Sequence, residues 1–286
     1  VRITAHPAWL FVSLHIIAMW MMNGTDLRAE KKLSWAVCYS DQPSPFDLAR
    51  YDVIVLDPDR RPNLGPMVDR NRTILAYLSL TQMGRERSQF RALSAAGIVL
   101  DEHPIWSGAH YLDFRRPEWT RAVIEEIVPR MLSAGFNGLF LDTLDDAEFL
   151  ERQDPEKFQG MRAAAIQLVH AIRHHFPAIV LMANRGYAIM PEVAGSIDML
   201  LGESVLSTFD PKTRAYRRVT PEDVDWQVNA LRAARTVNPR LKIFTLDYWN
   251  PADRKGVRSL YDAQRRNGFI PYVSTPMLDT LVEEPR

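Results

Sequence analysis

The chain has 286 residues, 47% hydrophobic and 24% charged, and its 35 lysines and arginines balance 35 acids to a net charge of +0. This composition excludes an intrinsically disordered chain, and the neutral balance gives no electrostatic footprint for nucleic acid. A single cysteine, Cys38, excludes an internal disulfide framework and a cysteine-based zinc site.

The N-terminus is a different material from the rest. Arg2 precedes an apolar run, Ala8–Met22, broken only by Ser13 and His15, and a mostly polar stretch follows. A charged start and a short apolar run predict a secretory signal or an N-terminal anchor over residues 1–32. The run is shorter than the ~20 residues of a spanning helix, and a buried helix is the alternative. No A-x-A cleavage site follows it, which keeps a retained anchor open. The expected location is secreted or periplasmic, with a single folded domain over residues 33–286.

From Leu33 onward, short apolar runs alternate with longer amphipathic ones. The runs are Trp35–Tyr39, Val53–Asp57, Thr73–Ser79, Gly138–Asp142, Ile179–Asn184, Ile197–Gly202, Lys242–Tyr248 and Phe269–Ser274. Most are continuous rather than alternating, which predicts strands buried on both faces, as in a parallel sheet covered by helices. Helices are predicted over Pro43–Tyr51, Leu64–Arg70, Arg85–Ala95, Pro117–Ala134, Pro155–His175, Tyr187–Ala194, Thr220–Val237 and Pro251–Asn267. Pro129 is expected to kink the fourth of these. Asp154 and Thr220 sit directly before helix-opening prolines and read as caps. Gly97–Asp113 reads as an irregular rim connection whose Trp106 and Tyr111 could line a cleft. Eight strands with a helical segment in every gap, in about 250 residues, predict a (β/α)₈ TIM barrel. A doubly wound open sheet is the alternative.

In such barrels the chemistry lies where strands end. Carboxylates end four of the eight runs: Asp57, Asp142, Glu203 and Asp247, the last followed by Tyr248. A charge on a strand buried on both faces is costly unless it is paired or used. Asp142 directly ends GLFLD, and Glu203 follows IDMLLG. Two carboxylates on one barrel mouth are what glycoside hydrolysis needs, one to protonate the leaving oxygen and one as base or nucleophile. A lone acid after a strand also serves as a helix cap or an arginine partner, and Asp57 and Asp145 fit that use equally well. Arg185 reads either as such a partner or as a substrate contact. Metal and cofactor chemistries find no support. No H-E-x-x-H, Walker A, G-x-S-x-G or dinucleotide fingerprint occurs, and no lysine ends a strand.

The segments ILAYLSL (74–80), GFNGLFLDTLDD (135–146), ANRG (183–186), LGES (201–204), LDY (246–248) and GFIPYVS (268–274), in this order and spacing, resemble the endo-alpha-1,4-polygalactosaminidase family. These are TIM-barrel glycoside hydrolases related to the hydrolase domain of the bacterial Pel polysaccharide protein. The resemblance implies cleavage of galactosamine-rich, partly deacetylated polymers. It places the catalytic residues on Asp142, as nucleophile or charge stabiliser, and Glu203, as proton donor. It places substrate contacts on Tyr39, Asp57, Tyr77, Asn184, Asp247 and Tyr272. The strand-end reading adds Asp145, Arg185 and Tyr248 to the candidate substrate-binding set. The gathered acids predict a negative cleft suited to a cationic amino-sugar polymer.

One departure matters. Relatives continue after strand three with Gly-Glu, whereas this chain has Thr81-Gln82. Two function classes therefore stand: an endo-acting glycosidase with two carboxylates, and a carbohydrate-binding or exopolysaccharide-biogenesis protein that keeps the barrel without turnover. A deacetylase is a weaker third, since the clustered metal ligands it needs are absent.

Overall fold

A computed structural model describes residues 32–67 and 72–285. The leader reading falls on residues outside these. Eight parallel strands form one sheet in chain order: β1 (Trp35–Cys38), β2 (Val53–Leu56), β3 (Thr73–Ser79), β4 (Gly138–Asp142), β5 (Val180–Asn184), β6 (Met199–Glu203), β7 (Lys242–Tyr248) and β8 (Ile270–Ser274). At the seam between first and last strands, Trp35 Nε1 donates to Ile270 O at 3.0 Å, and Tyr39 N donates to Leu278 O at 2.6 Å. The fold is the expected (β/α)₈ barrel.

The continuous apolar runs are explained by two cores. Successive residues of a strand point to opposite faces. Val53, Val55, Leu75, Phe140, Met182, Leu201, Phe244 and Leu246 fill the barrel interior around Trp35 and Tyr272. Their neighbours Ile54, Leu56, Ile74, Leu139, Leu141, Leu181, Leu200 and Ile243 pack outward against helix residues such as Leu168, Val169 and Leu231. Each fully buried side chain of this size contributes about 1.5–3 kcal/mol.

The outer layer departs from the sequence reading at several points, among them the Arg85–Ala95 helix, which spans only Phe90–Ala95. The helix expected over Pro155–His175 begins at Met161, because Gly160 takes a left-handed φ of 89° that interrupts it. A separate helix, Asp146–Gln153, precedes it, and Asp154 caps only a turn, accepting from Lys157 N at 2.9 Å. Helix Pro117–Ala122 widens into a π turn at Val123–Ile127 before resuming at Val128. Pro129 has no N–H to give the Glu125 carbonyl, and the widened turn absorbs the loss. The last helix starts at Arg254, capped by Asp253 accepting from Gly256 N at 2.9 Å, rather than at Pro251. Thr220 caps Pro221–Val237 as expected, accepting from Asp223 N at 3.2 Å.

Gly97–Asp113 is not irregular. Val99–Glu102 and Ala109–Leu112 pair antiparallel with each other, and the latter also pairs with Gln82–Gly84. A second antiparallel hairpin joins Ser207–Asp210 to Ala215–Arg218. Of the predicted Leu64–Arg70 helix, the described residues show one 3₁₀ turn, Gly65–Met67.

Gly138 opens β4 where two neighbours leave no room. A Cβ there would meet Val180 O at 2.4 Å and Leu75 Cδ2 at 2.5 Å. The carbonyl is backbone and cannot swing aside. Gly138→Ala is therefore expected to destabilise the barrel by about 1–3 kcal/mol, read as a lower urea midpoint at unchanged slope. An unchanged midpoint would show that the β4–β5 contact gives way freely.

Candidate active site

The alternation that fills the barrel also sets what stands at its mouth. Val37, Leu75, Phe140, Met182, Leu201 and Leu246 face inward. Two residues on lie Tyr39, Tyr77, Asp142, Asn184, Glu203 and Tyr248, interior-facing positions toward the C-terminal ends of six strands. All six line one cavity of ≈ 620 Å³ at the C-terminal ends of the strands. Barrel enzymes carry their chemistry at this end.

Asn184 is the centre of the arrangement. Its Nδ2 donates to Asp142 Oδ1 at 2.9 Å and to Glu203 Oε2 at 2.7 Å. The Tyr248 hydroxyl donates to Glu203 Oε1 at 2.6 Å. Burial, then the charge of Asp142, push the Glu203 carboxyl above the ordinary range, against the pull of Tyr248 and Asn184. Burial followed by the Asp142 charge holds the Tyr77 hydroxyl well above its usual value. Tyr248 is held up likewise by burial and by Glu203. Tyr39 and Tyr77 meet edge to face with centroids 5.0 Å apart, and burial holds the Tyr39 proton firmly in place. The tyrosines thus stay protonated as donors beside two carboxylates.

The residue after each of three strand-end side chains has positive φ: Thr143 at 67°, Arg185 at 52° and Ser204 at 54°. Such a conformation in a non-glycine residue costs of order 1–3 kcal/mol and persists only where surroundings over-determine it. They do so here. Arg185 N donates to Leu201 O at 2.9 Å, and Ser204 N donates to Leu246 O at 2.8 Å. Thr143 Oγ1 meets Ser79 Oγ at 2.9 Å, and Thr143 O accepts from Thr81 Oγ1 at 2.6 Å. The chain turns sharply out of the barrel directly after Asp142, Asn184 and Glu203, leaving those side chains aimed at the cavity.

Asp145 and Arg185 line the cavity as an ion pair, Nε to Oδ2 at 2.9 Å, with Gly186 N donating to Asp145 Oδ1 at 2.8 Å. Burial raises the Asp145 carboxyl, and Arg185 opposes it.

Three expected substrate contacts lie elsewhere. Asp57 holds Arg87 with both oxygens at 3.0 Å and does not line the cavity. Asp247 is fully buried on the outward face of β7. It accepts from Leu206 N, Ser207 N and Gln264 Nε2 at 2.7, 2.9 and 2.6 Å, anchoring the connection after β6 to the last helix. Tyr272 faces inward but one layer below the mouth, its ring 5.5 Å from that of Trp35 and its hydroxyl accepting from Val282 N at 3.1 Å.

Sequence reasoning missed other members of the site. Gln82 and Asp146 both line the cavity, and Gln82 Nε2 donates to Asp146 Oδ2 at 2.7 Å. Burial pushes the Asp146 carboxyl up to about 6. The Asp145-Asp146 pair opening a helix was the available signal. Trp106, 62% exposed, stands at the cavity rim. Tyr111 is buried beneath, stacked on Phe149, and does not block the cavity. Among the described residues no group of three or more histidines, cysteines or acids could hold a metal ion. No helix among them is long and apolar enough to cross a membrane.

Comparisons with known proteins match the chain to barrels of known class. The glycoside hydrolase domain of PelA from Pseudomonas aeruginosa matches with 27% identity and a TM-score of 0.78, over 88% of this chain and 98% of that one. Ega3 from Aspergillus fumigatus, crystallised with galactosamine, shares the fold at 13% identity and a TM-score of 0.63, over 88% and 94% of the two chains. An uncharacterised protein of Thermotoga maritima is 21% identical over 229 residues, 74% of this chain and 68% of its own. The profile of glycoside-hydrolase family GH114 matches residues 22–286. The chain belongs to that family, and it is a glycoside hydrolase.

Proposed function

We propose that this enzyme cleaves galactosamine-rich polysaccharide internally and with retention of anomeric configuration, with Asp142 as nucleophile and Glu203 as acid and base. One observation carries the mechanism. A single amide nitrogen reaches both carboxylates, so the two oxygens it serves are no more than about 5.6 Å apart. Carboxyl groups of retaining pairs stand roughly 5–5.5 Å apart and those of inverting pairs about 6.5–9.5 Å to admit a water, and nearest oxygens this close favour the retaining arrangement.

In the first step an Asp142 oxygen bonds to the anomeric carbon as the glycosidic bond breaks. The Glu203 proton passes to the leaving oxygen. In the second, Glu203 takes a proton from water, the water oxygen bonds to the anomeric carbon, and the Asp142 ester breaks. The raised Glu203 carboxyl suits the role of the acid, since a donor must hold its proton near working pH. Asn184 and Tyr77 supply hydrogen-bond donors beside the attacking carboxylate.

Charge supports the substrate class. The cavity is lined by Asp59, Glu86, Asp142, Asp145, Asp146 and Glu203 against Arg87, Arg130 and Arg185. The surplus of acids favours a cationic amino-sugar polymer over a uronic one. Ega3, crystallised with galactosamine, points the same way. The binding-only reading rested on Thr81-Gln82. Those side chains bond to Asp146 and leave Asp142 and Glu203 their partners, so the replacement gives no reason for lost turnover.

Reducing-end release from a galactosamine-rich polymer should fall about 10²–10⁴-fold in Glu203→Gln, and at least as far in Asp142→Asn, with thermal midpoints unchanged. Faster cleavage of polygalacturonate by the wild type would overturn the substrate class. Proton NMR of the first products from an α-linked oligomer should show α reducing ends, and β ends would overturn retention. Tyr248→Phe removes a hydrogen bond that favours ionised Glu203, so the Glu203 carboxyl rises further. The acid is lost as pH climbs through that value, and the alkaline limb of kcat/KM should therefore move to higher pH. Movement to lower pH would contradict the assignment of Glu203 as acid.

A further inference from the structure

Of the six acids lining the cavity, three are matched by a guanidinium. Arg87 holds Asp59 at 2.5 Å and Glu86 at 3.6 Å, and Arg185 holds Asp145. The other three, Asp142, Glu203 and Asp146, form no ion pair among the described residues. Two of these are the reacting pair. Asp146 is left, only 9% exposed and with no cation among the groups that perturb it.

Its hydrogen bonding is one-sided. Thr81 Oγ1 and Gln82 Nε2 both donate to Oδ2, each at 2.7 Å. No donor among the described residues reaches Oδ1. A buried carboxylate without a counter-charge is costly. The two donors orient the group without neutralising it. Glutamine at position 82 matters here. An acid in its place would put two carboxyls 2.7 Å apart, and such a pair shares one proton. Gln82 instead keeps Asp146 a single, aimed anion.

We propose that Asp146 is an ammonium-recognition residue of the cleft. Its Oδ1 takes the protonated 2-amino group of a galactosamine unit and thereby selects a deacetylated unit over an N-acetylated one at that position. The ammonium supplies both the missing charge and the missing donor. An N-acetyl group supplies a neutral amide and leaves the carboxylate buried and unmatched. This assignment rests on the substrate class proposed above.

Calorimetric binding at pH 6.5 separates the two. Galactosamine and N-acetylgalactosamine are titrated into the wild type and into Asp146→Asn. The wild type should prefer galactosamine, and Asp146→Asn should weaken galactosamine alone by about 10- to 100-fold, the size of a lost charge-assisted hydrogen bond. No binding of galactosamine by the wild type, or an equal loss for both sugars, overturns the proposal. Polymer turnover is measured separately. A galactosamine preference that depends on Asp146 in a protein without turnover sinks the hydrolytic reading and leaves the recognition residue. Turnover with a preference untouched by Asp146→Asn does the reverse. Gln82→Met serves where Asp146→Asn fails to fold. It removes one orienting donor that also favours the ionised carboxylate, so galactosamine binding should weaken several-fold, and unchanged binding counts against the proposal.

Discussion

Two carboxylates facing each other across a partly buried mouth repel, and the structure depends on what stands between them. That is the Asn184 amide, which donates to both Asp142 and Glu203. It sets their spacing and fixes the orientation of the amide, since an oxygen turned toward two acids would add a third negative end. The repulsion is not abolished. After burial, it is the second cause that keeps the Glu203 carboxyl raised, the state that the acid proposed above needs. One side chain thus sets the spacing of the two acids, while burial and the Asp142 charge set them apart against its pull.

The backbone is bent to keep this contact. Thr143, Arg185 and Ser204 adopt left-handed φ without being glycine, and each is held by hydrogen bonds to the adjacent strand or the β3 exit. Barrel closure supplies those partners. A parallel neighbour on each side leaves a donor or carbonyl waiting at every strand end, so strain spread over three turns is absorbed by a rigid frame rather than by loops. Position within the barrel, not loop chemistry, makes these side chains converge.

The eight strands were legible because burial on both faces writes continuous apolar runs, and Asp142 and Glu203 stood out because a charge interrupts such a run only for a reason. The residues and elements that lie elsewhere than expected have separate causes. Asp247 ends β7 in sequence, but the interior positions of that strand are Phe244, Leu246 and Tyr248. Counting by two assigns Asp247 to the helix side, where it anchors a loop. Tyr272 has the right parity and the wrong depth, and depth follows from how the strands are staggered, which one strand's pattern does not contain. The small antiparallel sheet was invisible for another reason. Val99–Glu102 is half exposed and ends in two acids, so its pairing with Ala109–Leu112 leaves no hydrophobic periodicity to read. Gly160 was a visible helix breaker inside the predicted 155–175 segment, and helical spacing from Phe158 onward overrode it.

The neutral total charge conceals a separation. Helix Arg254–Arg266 carries five bases and one acid, while the mouth carries six acids against three arginines. Fields of exposed charges fade over about 8–10 Å in physiological salt, so these regions do not cancel where a substrate approaches. Within the mouth, compensation sorts the acids by use. Those tied to Arg87 or Arg185 brace the walls. Those without a guanidinium are Asp142 and Glu203, the proposed reacting pair, and Asp146, the proposed ammonium contact. Had Arg185 been placed against Asp146 rather than Asp145, the cleft would hold the same charge, but its unmatched acid would stand at Asp145 instead. On the assignment proposed above, selectivity for an amino sugar follows from which acid each arginine neutralises more than from how many acids there are.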